Sequence, residues 1–145
     1  MISKPQFGWA QWELDNFKDF ISYVDDFPFN LFDKLWLFFK DGECQSLEFD
    51  AEGHFYTLYL GSPVYIETEK GEFIKIFDNI EDFIEKFLED IERDIDDWAI
   101  FPSYVKMDEL LGDKEDPIVP QVKHNLEAGI KNTREELEKW KKSQI

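Results

Sequence analysis

From Ile80 to Trp98 the apolar residues Ile80, Phe83, Ile84, Phe87, Leu88, Ile91, Ile95 and Trp98 recur at helical spacing without a miss. That period predicts one amphipathic helix with a single face in the core. Asp78 or Asn79 would cap its start, and Glu81 and Asp82 suit the positive end of its dipole. A second helical pattern runs from Phe27 to Lys40, with Leu31, Phe32, Leu35, Trp36 and Phe39 on one side. Asp26 is its N-cap candidate, Pro28 its first helical residue and Gly42 its stop. Leu37 and Phe38 widen the apolar surface, so burial on more than one side is expected.

Elsewhere the period is two. Trp12 and Leu14 alternate with Gln11 and Glu13, and Asp15-Asn16 is a turn before Phe17–Val24, so Gly8–Val24 reads as a hairpin. Glu43–Asp50 and Phe55–Leu60 form strand runs around the turn Ala51-Glu52-Gly53, where Gly53 would take a positive φ. Gly61-Ser62-Pro63 breaks the chain, and Val64–Glu69 and Phe73–Phe77 pair across Lys70-Gly71. Short connections favour antiparallel pairing. The fold class is therefore α+β. It comprises an antiparallel sheet of about six strands, one helix inserted after the first hairpin, a long acidic helix packed on the sheet, and a C-terminal helical tail.

After Pro102 the pattern weakens. Tyr104–Leu111 reads as a short helix, and Asp113–Pro117 as a polar linker, with Pro117 and Pro120 as breakers. Val122, Leu126, Ile130, Leu137 and Trp140 keep helical spacing, while Gly129 and the box Thr133-Arg134-Glu135-Glu136 leave open one helix or two. At 145 residues this is one domain: residues 1–101 form the α+β core, and 102–145 a linker and helical extension packed on it.

Composition sharpens this picture. Aromatic residues make up 17% of the chain, enough apolar area to fold rather than remain an acidic disordered tail. The formal net charge of −17 argues against direct binding of nucleic acid or of anionic membrane, since both need basic stripes. Met1–Pro5 carry no apolar run resembling a signal peptide, and the single Cys44, in a strand with a buried look, fits a reducing compartment. The expectation is a cytoplasmic protein.

Charge is unevenly placed. Residues 1–116 hold 29 acidic and 10 basic side chains, whereas residues 117–145 hold 4 acidic and 6 basic ones. Ten acids and two bases lie within Asp78–Asp97. On a helix Asp82, Glu85, Glu89, Glu92 and Asp96 form a continuous carboxylate stripe away from the core, with Asp97 beside it. Like charges at these spacings disfavour a helix by a few tenths of a kcal/mol per pair. The stripe is either a solvated face or a surface that meets a basic partner, and the basic tail is also able to pack against its own acidic body. A second acidic group, Asp25, Asp26, Glu48, Asp50, Glu52, Glu67 and Glu69, sits in turns and strand edges.

Sites of chemistry are weak. His54 and His124 are far apart, and Asp50-Ala51-Glu52-Gly53-His54 reads as a hairpin turn in preference to a metal loop. Cys44 has no histidine nearby, and no phosphate-binding glycine loop, nucleophile elbow or calcium loop occurs. No catalytic residue, metal ligand or cofactor is assigned. Trp9, Trp12, Tyr56 and Tyr59 either pack in the core or line a small-ligand site.

The order of elements does resemble a family. A Trp-containing hairpin leads through Ile21-Ser22-Tyr23-Val24-Asp25-Asp26-Phe27-Pro28 into a helix; Leu47-Glu48-Phe49-Asp50-Ala51-Glu52-Gly53 forms a hairpin; a long acidic helix ends in Trp98. Over about residues 8–101 this is similar to small bacterial immunity proteins encoded beside polymorphic toxins, of the LXG-toxin kind. Pro63-Val64-Tyr65 leading to Phe83 also resembles SUKH-type immunity proteins, although the N-terminal half departs from them. The resemblance implies a non-enzymatic antitoxin whose partner is a basic toxin domain, often a nuclease. On that reading Asp82, Glu85, Glu89, Glu92, Asp96 and Asp97 contact the partner, their carboxylates standing in for phosphates. The alternatives are a nucleic-acid-mimic inhibitor of another DNA-binding enzyme and a small ligand-binding domain.

Overall fold

The structure is a computed structural model that describes residues 1–101 and 118–144. The expected helix over Tyr104–Leu111 and the linker Asp113–Pro117 lie outside the described residues. The architecture is α+β. Strands β1 (Trp9–Glu13) and β2 (Lys18–Ser22) form the hairpin, a single 3₁₀ turn (Tyr23–Asp25) follows, and helix α1 spans Phe29–Asp41. Then come β3 (Gln45–Asp50), β4 (Phe55–Leu60), β5 (Val64–Thr68) and β6 (Phe73–Phe77). Helices α2 (Ile80–Arg93), α3 (Ile95–Ala99) and α4 (Ile118–Ser143) complete the chain.

All strand pairs are antiparallel, but the six strands form two sheets: β1-β2 alone, and β3-β4-β5-β6 in chain order. The hairpin lies against the inner face of the larger sheet. Trp12 meets Phe49 at 5.8 Å and Phe83 at 6.3 Å between ring centroids, and Phe17 meets Tyr56 at 5.2 Å. The buried Tyr56 hydroxyl donates to the Phe20 carbonyl at 2.6 Å, and burial pushes its pKa upward. Trp12 and Tyr56 thus belong to the core, Tyr56 also bordering a pocket beside Phe17, Asp19 and His54; Trp9 and Tyr59 are half-buried.

Several local expectations change. Helix α1 starts one residue late, with Pro28 in the cap position and no side-chain cap; Asp26 instead takes a left-handed conformation (φ 55°) that ends the 3₁₀ turn. Its buried side is Leu31, Phe32, Leu35 and Phe38, whereas Trp36 is 56% exposed, with Lys40 over its ring. Gly42 does end α1, at φ 69° with its N–H on the Phe38 carbonyl, as a glycine C-cap should. In the β3–β4 turn Gly53 has the expected positive φ (158°), and Glu52 ahead of it takes the left-handed conformation (φ 57°). Cys44 is exposed and precedes β3 instead of packing within a strand.

The long acidic helix is broken once. Asn79 caps α2 by accepting from the Asp82 N–H at 2.9 Å, and the chain leaves helical geometry at Asp94 before resuming as α3. The apolar face of α2 buries Phe83, Ile84, Phe87, Leu88 and Ile91, each worth roughly 1.5–3 kcal/mol of transfer free energy.

The C-terminal segment is one continuous helix. Pro120 lies in its first turn, where a missing N–H costs nothing, so it does not break the helix. Val122, Leu126, Ile130 and Leu137 enter the main core as α4 lies across α1, α2 and α3. At Gly129 the α1 helix comes so close that a Cβ would stand 3.0 Å from the Phe32 ring. That close approach is why a glycine is tolerated in a helix interior, at a propensity cost of about 1 kcal/mol.

Candidate partner-binding groove

Helices α2 and α3 turn their acids in two directions. Toward α4, Glu92 receives a two-pronged hydrogen bond from Arg134 at 2.8 and 3.2 Å, Asp96 pairs with Lys123 at 3.0 Å, and Glu85 pairs with Lys141. The Arg134 guanidinium holds the Glu92 carboxyl below its usual range. Trp140 adds a hydrogen bond from its indole N–H to Glu81 at 2.9 Å. Helices α2 and α4 run antiparallel, and steps of seven residues on each (Glu85 to Glu92, Arg134 to Lys141) bring the same faces back into register. Much of the tail's positive charge is thereby spent on the protein's own helix.

Away from α4, the stripe stays exposed and meets the first hairpin. Glu13, Asp15, Asp82, Glu85 and Glu89 line an open groove whose apolar floor comes from Leu14 and Phe77. Asp82 also closes the helix cap, accepting from the Asn79 side chain at 3.1 Å. Glu89 has Lys86 at 3.8 Å, and Asp97, on the far end, has Lys4 at 3.8 Å. Of the six residues singled out from sequence, Asp82, Glu85 and Glu89 share this groove, Glu85, Glu92 and Asp96 join the clasp with α4 so that Glu85 belongs to both, and Asp97 belongs to neither.

One buried carboxylate gathers several cations beside the groove, with Asp94 also accepting from Arg93 at 2.7 and 2.9 Å. Asp90 is 1% exposed, and it accepts from the Ile2 N–H at 2.8 Å and from Arg93 at 3.0 Å. Lys86 stands 3.4 Å from it and the Met1 amine 3.3 Å. Arg93 also donates to the Ile2 carbonyl at 2.9 Å, so the N-terminal residues are clamped to α2. Lys86 and Met1 themselves line the groove, so its five carboxylates outnumber its cations without excluding them. Carboxylates on low-dielectric walls focus the field and raise the local concentration of cations and basic side chains.

Glu13, Asp15 and Asp90 were not among the residues the sequence pointed to. Glu13 and Asp15 join the site only because the hairpin tip is fastened to β6 beside the start of α2, where the Asn16 side chain donates to the Lys75 carbonyl at 2.6 Å. For Asp90 a signal existed: it falls seven residues after Phe83 and three after Phe87, a charged residue in the apolar phase of the helix.

The second acidic group partly assembles. The Asp25 carboxylate accepts from the Asp50 N–H at 3.1 and 3.3 Å, with Glu48, Asp50 and Glu52 around it. Burial, and then these like charges, raise its pKa to about 6 against the opposing effect of the hydrogen bond. His54 pairs with Asp19 at 2.6 Å. Among the described residues no cluster of His, Cys, Asp or Glu is arranged to hold a metal ion. No helix among them is long and apolar enough to cross a membrane. Comparison with protein-family models, curated proteins and solved structures finds no match to the chain.

Proposed function

We propose that this protein is a cytoplasmic immunity protein that acts by binding, and that it neutralises a basic toxin domain, a nuclease by class, through the groove between the first hairpin and α2. The observation that carries the reading is the convergence of Glu13, Asp15, Asp82, Glu85 and Glu89 on one open groove, where they outnumber the lining cations Lys86 and the Met1 amine, both of which also lie near the buried Asp90. Such a surface presents carboxylates where a nuclease expects phosphates, and it speeds encounter with a cationic partner. Glu92 and Asp96 then serve the fold, by fastening α4, and the partner meets the exposed edge of the stripe.

The test is co-expression with the product of the adjacent gene. The expected result is a stable complex with that product's C-terminal domain and rescue of growth from its toxicity. Absence of both a complex and rescue would overturn the immunity reading. A complex that survives charge reversal at Glu13, Asp15 and Glu89 would overturn the groove as its site.

A further inference from the structure

A solvated antiparallel face ordinarily reads as polar residues. The outward face of β3–β6 does not. Phe55 is 48% and Phe73 62% exposed, and Tyr59 stands across from Tyr65, its ring 6.0 Å from that of Phe73. The buried residues of the same strands, among them Phe49, Tyr56, Leu58 and Ile66, occupy the opposite face, and the helices pack on that side. Between the rings lie carboxylates. Register places Glu48, Thr57, Glu67 and Phe73 in one row across all four strands, and Asp50 beside Phe55. Two strand spacings, about 10 Å, separate Glu48 from Glu67. The Tyr59 hydroxyl donates to Glu67 at 2.7 Å and fixes its direction. Lys75, the one cation among the outward strand residues, is taken up by Asp78 at 2.7 Å.

We propose that this open sheet face is a docking surface for an extended, arginine-bearing segment of a partner protein. Guanidinium groups stack on aromatic faces and pair in a fork with carboxylates, so alternating rings and acids suit arginine better than lysine. An extended segment repeats its side chains on one side every two residues, which matches the row spacing of the sheet. Addition of a strand at the β6 edge is a poorer mode, because the Asn16 side chain already occupies the Lys75 carbonyl. Neither Glu67 nor Phe73 lines the groove described above, so this surface stands independently of the groove reading.

The experiment is a titration of the isotope-labelled protein with a hexapeptide alternating arginine and isoleucine, against its lysine counterpart. Amide shifts should concentrate at Tyr59, Tyr65, Glu67 and Phe73, and the lysine peptide should bind about fivefold more weakly. Phe73→Ser combined with Glu67→Gln should weaken binding about tenfold while the spectrum of the remaining residues stays folded. The proposal is overturned by no saturable binding, by shifts confined to α2 and the first hairpin, by equal affinity of the two peptides, or by an unchanged affinity of the folded variant. Loss of toxin binding by the groove variants, with peptide titration intact, separates failure of one surface from failure of the other.

Discussion

Asp25→Asn should make the protein more stable at neutral pH. Asp25 sits half-buried at the end of the 3₁₀ turn, accepts the Asp50 N–H, and faces Glu48, Asp50 and Glu52. Its carboxyl titrates at about 6 in the fold, against an ordinary value of 3.8. The folded state therefore holds the proton more tightly than the unfolded chain. Below about pH 4 both states are protonated and nothing is lost; as pH rises through 6 the unfolded chain has already ionised, and stability falls until the folded carboxyl ionises too. A shift of about two units corresponds to about 3 kcal/mol at 1.36 kcal/mol per unit, and screening by water at this half-buried site reduces it to about 1–2 kcal/mol. The amide keeps an oxygen to accept the Asp50 N–H. Urea unfolding at pH 4, 5, 6 and 7.5 should show Asn at this position stabilising by about 1–2 kcal/mol at pH 7.5, with the advantage vanishing at pH 4. An advantage independent of pH, or a loss at every pH, would refute the argument that desolvation and like charge outweigh the hydrogen bond.

Three further outcomes follow from the packing. Asp90→Ala takes the acceptor from the Ile2 N–H, the partner from the Met1 amine and one of several acceptors from Arg93, and should cost about 3–5 kcal/mol in chemical denaturation while speeding hydrogen exchange at Ile2. Gly129→Val drives a branched side chain into the Phe32 ring and should destabilise by about 2–3 kcal/mol, although valine is the better helix former. A double-mutant cycle on Glu92 and Arg134 should give a coupling of about 0.5–1 kcal/mol, reduced at high salt; zero coupling would contradict the two-pronged pair.

How much of this was readable in the chain depends on the kind of pattern. The α2 period and the four-strand meander were, because alternation and helical spacing are local and their turns carry Gly and Pro at the expected places. The break at Asp94 was not: Ile95 and Trp98 continue the apolar phase across it, so periodicity alone sees one helix. Trp36 carried the right spacing for burial but lies at the margin of the α1 stripe, where Phe38 packs on Trp140 in its stead. The split into two sheets depends on the hairpin crossing the inner face, a long-range packing choice made by Trp12 and Phe17. The stripe itself was readable, but not its division. Only the antiparallel docking of α4 decides that Glu92 and Asp96 are clasped while Glu89 stays exposed.

The central claim is that the exposed edge of the α2 stripe, joined to the hairpin tip, meets a basic partner, and that the clasped edge does not. Stopped-flow association with the C-terminal domain of the adjacent gene's product, the partner proposed above, over a range of salt, tests it most directly. Charge reversal at Glu13, Asp15 and Glu89 should slow association about tenfold or more and flatten its salt dependence, whereas Glu92→Gln with Asp96→Asn should leave the rate within about twofold. An unchanged rate for the groove variant, or an equal slowing by the clasp variant, would contradict the account.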